Sequence, residues 1–450
     1  MAIRDIVQAA AGVGGAGPNV EEVFSTYLYN GNSSTQTINN GIDLDGEGGL
    51  VWIKSRSNTY DGFLYDTERG ANKYIDSTWN GPEQTVASSL TAFNANGFSL
   101  GTWVGVNGSA SQTYASWSFR KSPNFFDVVT WTGDDTTNRT HAHNLGSVPG
   151  LIIVKATSRS SNWTCYHRSL GNTKGLSLNS TDAAYNSTAW NSTSPTDTVF
   201  TATSGTVNEG GETYVAYVFA HDAGGFGDDG EQNVISCGSF TTDGSGNAIV
   251  DLGYEPQWVL VKPASTAGQW RLFDTMRGFS HTSTASLLPN LANAESVMTT
   301  AERWFPTATG FNLTPYDAGG VTSIYIAIRR PMKTPESGTE VFMPFAAADS
   351  TRQTTGFPTD MFLDARRSGH SLNTLVGTRL VGPTVHLVTS STGAETTGAG
   401  SIGDAYQYND SFKPGIGFDW WCAFKRAPSF MDVVCYTGTG VAKTEAHNLG

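Results

Sequence analysis

Charged side chains are scarce in this chain. Asp, Glu, Lys and Arg make up 15% of its 450 residues, against roughly 25% in an average domain. Acidic residues outnumber basic ones by 40 to 27, which gives a formal net charge of −13. Phosphate backbones bind to clustered Lys and Arg side chains, and the sequence contains no such cluster. We therefore expect no nucleic-acid partner.

Long apolar runs and cysteines are also lacking. No run reaches the roughly 18 apolar residues that a membrane-spanning helix needs, so we expect no membrane insertion. The apolar stretch at the N-terminus is too short for a signal peptide, and Asp5 interrupts it. The four cysteines, Cys165, Cys237, Cys422 and Cys435, are scattered. Their spacing favours neither a disulfide framework nor a zinc site, and we interpret all four as small buried hydrophobic residues.

Glycine and aromatic residues are abundant instead. The chain has 51 Gly, 12 Trp, 16 Tyr and 23 Phe, together with many Thr, Ser and Asn. Short runs of aromatic and β-branched residues between turn residues are typical of strands, and no long amphipathic helical pattern is present. The composition predicts an all-β protein with many turns.

The sequence repeats itself. Residues 118–133 read Ser-Phe-Arg-Lys-Ser-Pro-Asn-Phe-Phe-Asp-Val-Val-Thr-Trp-Thr-Gly, and residues 423–438 align with them without a gap. Ala-His-Asn-Leu-Gly follows both copies, at 142–146 and 446–450. Self-similarity of this kind indicates an array of related modules.

Weaker echoes divide the whole chain into such modules. Each has an opening strand, a later apolar strand that ends in Lys (Lys54, Lys155, Lys262) and an aromatic closing strand. A repeat of roughly 100 residues is too long for a solenoid turn or a propeller blade. We predict a tandem array of about four jelly-roll or concanavalin-like β-sandwich modules and a partial fifth. The segments are an N-terminal anchor or linker (1–22), module 1 (23–122), module 2 (123–230), module 3 (231–336), module 4 (337–427) and the start of a fifth module (428–450).

Three features of this array remain open or divergent. Module 4 departs most from the pattern, with Met361–Asp364 where the Lys-ended strand is expected. Asp432 is predicted to begin the opening strand of the fifth module, which breaks off at Gly450, so we expect the natural protein to continue. Opening and closing strands could pair within one module or be exchanged between neighbours.

The most regular polar motif is Asp-Thr-x-Arg-Gly, at 66–70 and 274–278. An Asp and an Arg could bind a sugar or an ion, or they could lock a turn in which Gly supplies positive φ. Module 2 has His-Arg-Ser-Leu-Gly at 167–171 and lacks the Asp. We favour the structural interpretation.

Two further motifs also admit a structural interpretation. His-Asn-Leu-Gly (143–146 and 447–450) contains a potential metal ligand, but no second ligand has suitable spacing, so we interpret it as a turn. The acidic, glycine-rich segment 222–231 could hold Ca²⁺, but it lacks the alternating ligands of an EF-hand loop. We interpret it as a solvated linker.

Candidate functional residues are few. The chain has no P-loop motif. We predict no catalytic residue, no bound metal and no cofactor, and we expect that the protein is not an enzyme. Trp79 and Trp190 lie in Asn-rich connections. Both could be exposed and stack on sugar rings.

Several motifs carry a resemblance to a known class of proteins. They include Phe-Ser-Thr-Tyr-Leu-Tyr-Asn-Gly (24–31), Gly-Leu-Val-Trp-Ile-Lys-Ser-Arg (49–56), Tyr-Ala-Ser-Trp-Ser-Phe (114–119) and His-Asn-Leu-Gly-Ser-Val-Pro-Gly-Leu-Ile-Ile-Val-Lys (143–155). From about residue 20 onward the chain resembles the tail fibres and tail-associated virion proteins of tailed bacteriophages, especially marine and cyanobacterial phages.

The resemblance implies a structural protein of the virion. It would be a homo-oligomeric tail appendage, most simply a trimer, that takes part in attachment to a host receptor such as a surface glycan. Residues 1–22 would dock onto a tail or capsid protein of the particle. The shared motifs are structural, so no binding residue can be carried over. The alternatives are a capsid-decorating or structural tail protein without a receptor role, a glycan depolymerase, and a secreted bacterial adhesin that uses a non-Sec export route.

Overall fold

The computed structural model describes residues 15–203, 205–298, 303–315, 318–346, 351–365, 374–383, 385–397, 408–413, 420–436, 438 and 440–449. Over these residues the protein is almost entirely β-structure. The helical elements are two four-residue α-helices, Val20–Val23 (α1) and Val104–Asn107 (α2), and a 3-10 turn, Gly338–Glu340. The prediction of an all-β fold is confirmed.

Module 1 contains two antiparallel sheets. The large sheet has the strand order β1-β9-β3-β4-β5-β6, and the small sheet has the order β2-β8-β7. The strands are β1 (Phe24–Asn30), β2 (Gln36–Asn39), β3 (Gly49–Ser55), β4 (Gly62–Asp66), β5 (Lys73–Asp76), β6 (Gln84–Thr85), β7 (Leu90–Asn94), β8 (Gly97–Leu100) and β9 (Thr113–Arg120).

The central strand β3 is buried along its whole length. Side chains of a strand alternate between the two faces of the sheet. Val51 and Ile53 therefore lie in the core of module 1, whereas Leu50 and Trp52 lie on the opposite face, in a core that several modules share. Because both faces are covered, the strand is a continuous apolar run rather than an alternating one.

Modules 2 and 3 repeat the arrangement of the large sheet. The orders are β10-β17-β12-β13 and β18-β26-β20-β21, and the smaller sheets are β11-β16, β14-β15, β19-β25-β24 and β22-β23. The strands of module 2 are β10 (Phe126–Thr132), β11 (Arg139–Ala142), β12 (Leu151–Ala156), β13 (Thr164–His167), β14 (Lys174–Gly175), β15 (Tyr185–Asn186), β16 (Val199–Ala202) and β17 (Thr213–Phe219). Those of module 3 are β18 (Ile235–Thr241), β19 (Ala248–Asp251), β20 (Pro256–Pro263), β21 (Arg271–Asp274), β22 (Thr284–Ser286), β23 (Ser296–Met298), β24 (Trp304–Thr307), β25 (Gly310–Leu313) and β26 (Thr322–Arg329).

Module 4 keeps the same strand order despite its divergent sequence. Its sheets are β27-β34-β29-β30-β31-β32 and β28-β33. The strands are β27 (Phe342–Ala346), β28 (Gln353–Thr354), β29 (Met361–Ala365), β30 (Leu375–Thr378), β31 (Val385–Val388), β32 (Thr396–Thr397), β33 (Ser411–Phe412) and β34 (Trp420–Phe424). The Met361 strand occupies the place of the Lys-ended strand, between the closing strand and the next strand of the sheet.

The opening strand pairs with the closing strand of its own module in every case. The pairs are β1 with β9, β10 with β17, β18 with β26 and β27 with β34. These pairings leave no opening strand to be exchanged with a neighbouring module. Residues 432–436 form no strand, which corrects the predicted opening strand at Asp432. An opening strand pairs with a closing strand, and the described residues place none beside it.

Modules 1, 2 and 3 place equivalent residues in matching rows across their large sheets. Each row joins the opening strand, the closing strand, the Lys-ended strand and the next strand. The rows are Phe24–Phe119–Leu50–Asp66, Phe126–Phe219–Leu151–His167 and Ile235–Ile328–Trp258–Asp274.

The outer faces of the three large sheets share one apolar core. The ring of Phe119 lies 5.6 Å from that of Phe219 and 5.7 Å from that of Trp258, measured between centroids. Side chains of all three modules therefore meet at the centre. The structure places modules 1, 2 and 3 back to back rather than in an extended string.

The buried lysines show that this arrangement closes into a ring. Lys54 Nζ of module 1 donates to Leu291 O of module 3 at 2.7 Å. Lys262 Nζ of module 3 donates to the main-chain carbonyl of residue 182 in module 2 at 2.7 Å, and Lys155 Nζ of module 2 donates to Asn80 O of module 1 at 3.3 Å. Module 1 bonds module 3, module 3 bonds module 2, and module 2 bonds module 1.

Burial lowers the pKa of each of these three lysines to about 8. A buried ammonium group is destabilising unless it is hydrogen-bonded. Each ammonium group has main-chain acceptors both in its own module and in the neighbouring module. The Lys-ended strand motif is thus an inter-module joint.

Module 4 packs against the ring. Asn409 forms two hydrogen bonds with the backbone of Leu28 in module 1, through Oδ1 at 3.0 Å and Nδ2 at 2.7 Å. Arg426 donates to both carboxylate oxygens of Glu255 in module 3 at 2.8 Å. Both partners are buried, so this pair joins module 4 to the ring.

The N-terminal segment is part of the ring as far as it is described. Val20 and Val23 are fully buried in the shared core, and Gly17 N donates to Gly227 O at 2.9 Å. Residues 15–22 are therefore integrated into the fold. The remainder of the predicted anchor, residues 1–14, lies outside the described residues.

Candidate functional site

The Asp-Thr-x-Arg-Gly motif forms a closed turn. Arg69 Nε donates to Asp66 Oδ2 at 2.6 Å, and Arg69 Nη2 donates to Leu64 O at 2.9 Å. Gly70 follows with φ of +91°, which favours glycine. The second copy has the same 2.6 Å ion pair between Arg277 and Asp274. Hydrogen bonds within the turn occupy the carboxylate, as the structural interpretation requires.

The same carboxylates also join modules. Tyr217 of module 2 donates its hydroxyl to Asp66 Oδ2 of module 1 at 2.9 Å. Trp117 of module 1 donates Nε1–H to Asp274 Oδ2 of module 3 at 3.1 Å. Tyr217 and Trp117 stand at equivalent places on their closing strands. The sequence motif did not reveal this second role, because the partner lies in another module.

The third junction is built differently. The strand position equivalent to Trp117 and Tyr217 is Ile326 in module 3, and Ile has no donor. The facing residue of module 2 is His167, whose Nε2 lies 3.1 Å from Tyr325 O. Burial lowers the pKa of His167 to about 4, so the ring is neutral at pH 7. Module 2, which lacks the Asp at this position, thus faces module 3, which lacks the side-chain hydrogen-bond donor.

His-Asn-Leu-Gly closes a loop onto the preceding strand. Asn144 N donates to Asp127 Oδ2 at 2.7 Å, and the later copy has Asn448 N donating to Asp432 Oδ2 at 2.8 Å. His143 Nδ1 accepts from Leu145 N at 3.3 Å. The turn interpretation agrees with this geometry. The partner of this turn could have been found from the Asp-Val-Val repeat, since its Asp accepts the hydrogen bond in both copies.

The glycine-rich segment 222–231 is a compact connection against the N-terminal segment. Phe226 is fully buried, and its ring contacts that of Phe125 at 6.3 Å between centroids. A Cβ atom on Gly17 would lie 1.9 Å from Gly225 O, so the two backbones approach too closely for any side chain at Gly17. The expectation of a solvated linker is wrong for this buried part. Within the described part of the chain no group of three His, Cys, Asp or Glu side chains could hold a metal ion.

The two tryptophans singled out from the sequence have different environments. Trp79 is exposed, with 48% of its surface accessible, whereas Trp190 is 1% exposed. The ring of Trp190 packs edge-on against Tyr166 at 5.7 Å between centroids. The prediction of an exposed stacking ring is therefore wrong for Trp190, because its module folds over it. For Trp79 it stays a prediction.

The cysteines also divide into two environments. Cys165 and Cys237 are buried, whereas Cys422 and Cys435 are only partly buried. All four are free. The expectation of four buried residues is wrong for the last two, Cys422 on β34 and Cys435 in the segment after module 4.

A pair of carboxylates lies beside Trp79. Thr78 Oγ1 is 2.6 Å from Asp61 Oδ1 and 2.7 Å from Asp76 Oδ1. A hydroxyl has one proton, so it donates to one carboxylate and accepts from the other only when that group is protonated. Burial raises the pKa of Asp76 to about 7. The sequence could not indicate this pair, because the turn at Thr78 brings the residues together.

A polar cavity lies between module 1 and module 4. Its volume is about 320 Å³. Side chains from both modules line it, including Tyr27, Asn30, Arg352, Tyr408 and Asp410. Nothing in the sequence indicated it, because its two walls come from distant parts of the chain, residues 27–56 and 352–410.

The described residues contain no helix with the length and apolar character that a membrane crossing requires. A search of curated proteins finds no match. Residues 20–330, which cover modules 1 to 3 and more than half of the chain, match the family described as Domain of unknown function (DUF7483). The closed ring of three modules is thus the unit that the family match covers, and the chain belongs to the DUF7483 family.

Proposed function

We propose that this protein is a structural virion protein of a bacteriophage, a tail fibre or related appendage that attaches the particle to a host receptor, such as a surface glycan. The observation that carries the proposal is the use of the recurring polar motifs. Asp66, Asp274 and the three buried lysines all bond a neighbouring module. Their geometry serves a rigid assembly rather than a reaction.

The resemblance of its motifs to those of phage tail proteins supports the same function. Three modules closed into a ring form a stiff body, and a fourth module on its side adds a distinct surface. In this proposal the body belongs to the virion, residues 1–22 contact a tail or capsid protein, and copies of the chain assemble as a homo-oligomer, most simply a trimer.

Immuno-electron microscopy tests the location. Antibody raised against the full chain is applied to intact virions, and a host-cell binding assay is run with the purified chain. Label on tail appendages together with saturable cell binding is the expected result. Label over the capsid without cell binding would instead favour a decorating protein without a receptor role. Absence of label from all particles would overturn the virion proposal and favour a secreted adhesin.

One observation favours a glycan depolymerase as the second candidate. Asp61 and Asp76 are close together, and burial raises the pKa of Asp76 to about 7. Glycosidases pair a protonated carboxyl group with an ionised one, and the exposed residue Trp79 directly follows Thr78 in the chain. Release of reducing sugar from host polysaccharide, abolished by Asp76→Asn and retained by Asp228→Asn, would establish this activity. No release by the unmodified chain would eliminate it.

A further inference from the structure

Hydrogen bonds join the two walls of the cavity between modules 1 and 4. Asn409 bonds both backbone groups of Leu28 on the edge strand β1, as a neighbouring strand would. At the equivalent strand positions of modules 2 and 3, Thr130 and Ser239 are exposed, whereas Leu28 is buried. Module 4 therefore covers the edge of one ring module specifically. A cavity whose walls are fixed before binding avoids the entropic cost of ordering them.

The lining of this cavity is polar and its charges are compensated. Arg56 donates to both oxygens of Glu295, at 3.0 and 2.8 Å. Arg352 donates to Asp410 at 3.0 Å. With both guanidinium groups already paired to carboxylates, an anion such as phosphate or a uronic acid gains little here. A hydrophobic ligand is disfavoured as well, because carboxamide, hydroxyl and charged groups surround the space.

Aromatic rings complete the site. The guanidinium of Arg352 lies over the Tyr408 ring, 4.3 Å from its centroid, and Tyr27 is half-buried in the opposite wall. The carboxamide of Asn30 and the carboxylate of Asp410 are exposed at the rim. Carboxamides and carboxylates bond hydroxyl groups, and aromatic faces pack against apolar C–H groups. A ligand that presents both is a sugar ring.

A larger cleft supports the choice by contrast. It has a volume of about 630 Å³ and lies between module 3 and residues 428–448. Asp228, Asp229 and Arg329 line it, and none of its described lining residues is Tyr, Trp or Phe. The smaller cavity is at the lower end of the roughly 300–1,000 Å³ that small-molecule sites occupy, and it combines polar groups with rings.

We propose that the cavity formed by Tyr27, Asn30, Arg352, Tyr408 and Asp410 binds a neutral saccharide unit of a host surface glycan. This inference rests on the proposed attachment function and assigns its receptor contact to the junction of modules 1 and 4.

A glycan array tests the site. The full chain is applied to a printed panel of neutral hexose oligosaccharides and of oligosaccharides that carry sialic or uronic acids. Binding of neutral members is expected, and Asn30→Ala and Tyr408→Ala should each weaken it by about tenfold or more, which corresponds to the loss of one or two good contacts. Tyr436→Ala, which alters an exposed ring outside the cavity, is the matched control and should bind like the unmodified chain.

Other outcomes overturn the inference. It fails if the cavity variants bind as the unmodified chain does while keeping its unfolding temperature, if only the Tyr436 variant loses binding, or if acidic members alone are bound. Host-cell binding measured with the same proteins separates this failure from that of the proposed function. Cell binding that persists without neutral-glycan binding removes the saccharide site and leaves attachment standing, whereas loss of both removes both.

Discussion

Two junctions of the ring differ from the third in one respect. Where module 2 meets module 1 and where module 1 meets module 3, a buried aromatic donor bonds an Asp that is already paired with an Arg. Where module 3 meets module 2, Ile326 and His167 take these places and no carboxylate is present. Donor and acceptor are absent together, which avoids an unpaired buried charge. The ring of three modules is thus closed by a charged carboxylate contact at two junctions and by uncharged side chains at the third.

The largest expected effect comes from breaking a polar junction. Asp274→Ala removes the acceptor of three buried donors, Arg277 N, Arg277 Nε and Trp117 Nε1, while the Arg277 guanidinium keeps Glu295 and Leu272 O as partners. A buried donor without an acceptor costs about 1–3 kcal/mol, so the free energy of unfolding should fall by about 3 kcal/mol or more in denaturant titration. Asp228→Ala, at an exposed carboxylate, should change it by less than about 0.5 kcal/mol. Equal effects of the two variants would contradict a structural role for Asp274.

Acid should weaken the His junction specifically. The pKa of His167 is about 4 when folded and 6.5 when unfolded, because burial, and to a smaller degree Arg168 and His221, disfavour the imidazolium. The unfolded chain binds more protons between these values, so this contribution to stability is present above pH 6.5 and is lost as the pH falls toward 4. The loss is at most roughly 3 kcal/mol.

The unmodified chain and His167→Gln distinguish this contribution from other acid effects. Gln keeps a donor for Tyr325 O and does not titrate. As the pH is lowered from 7 to 4, the free energy of unfolding of the unmodified chain should fall more than that of the Gln variant. Parallel pH profiles would show that His167 does not control acid stability.

Converting the third junction toward the other two would sharpen the comparison. His167→Asp alone buries a carboxylate without a partner. Leu170 stands where Arg69 stands in module 1, so Leu170→Arg supplies the partner. In a double-mutant cycle the two substitutions should couple favourably by about 2 kcal/mol. A coupling energy near zero would mean that the motif does not act as a unit.

The smallest expected effect concerns a single donor. Tyr217→Phe removes the hydroxyl that bonds Asp66 and keeps the ring. Hydrogen bonds to charged groups contribute about 1.5 kcal/mol or somewhat more, so the free energy of unfolding should fall by that amount. Tyr185→Phe, at an exposed position, is the control. If Tyr217→Phe left the free energy of unfolding unchanged, Arg69 alone would satisfy the Asp66 carboxylate.

Much of the fold could be predicted from the sequence. The repeat of Asp-Val-Val and the closing aromatic runs predicted related all-β modules, and modules 1 to 4 each have the predicted opening and closing strands. The turn role of Asp-Thr-x-Arg-Gly followed from its glycine and its charge pair. These features depend on local chemistry, which the sequence shows directly.

The candidate site could not be predicted in the same way. Trp79 and Trp190 occupy similar sequence contexts, yet one is exposed and the other buried, because burial depends on what other segments cover the residue. The walls of the polar cavity come from modules 1 and 4, and no spacing rule links Asn409 to Leu28.

The sequence by itself determined the modules, the succession of strands along each of them and the lysines that end three of the central strands, because alternation, turn chemistry and charge pairing act over a few neighbouring residues. Only the tertiary structure decided that three modules close into a ring, that the buried lysines and carboxylates bond across it, and that module 4 leaves a polar cavity at one junction. Many arrangements of the modules could bury the same apolar faces. The complementarity of side chains that are distant in the chain selects one of these arrangements.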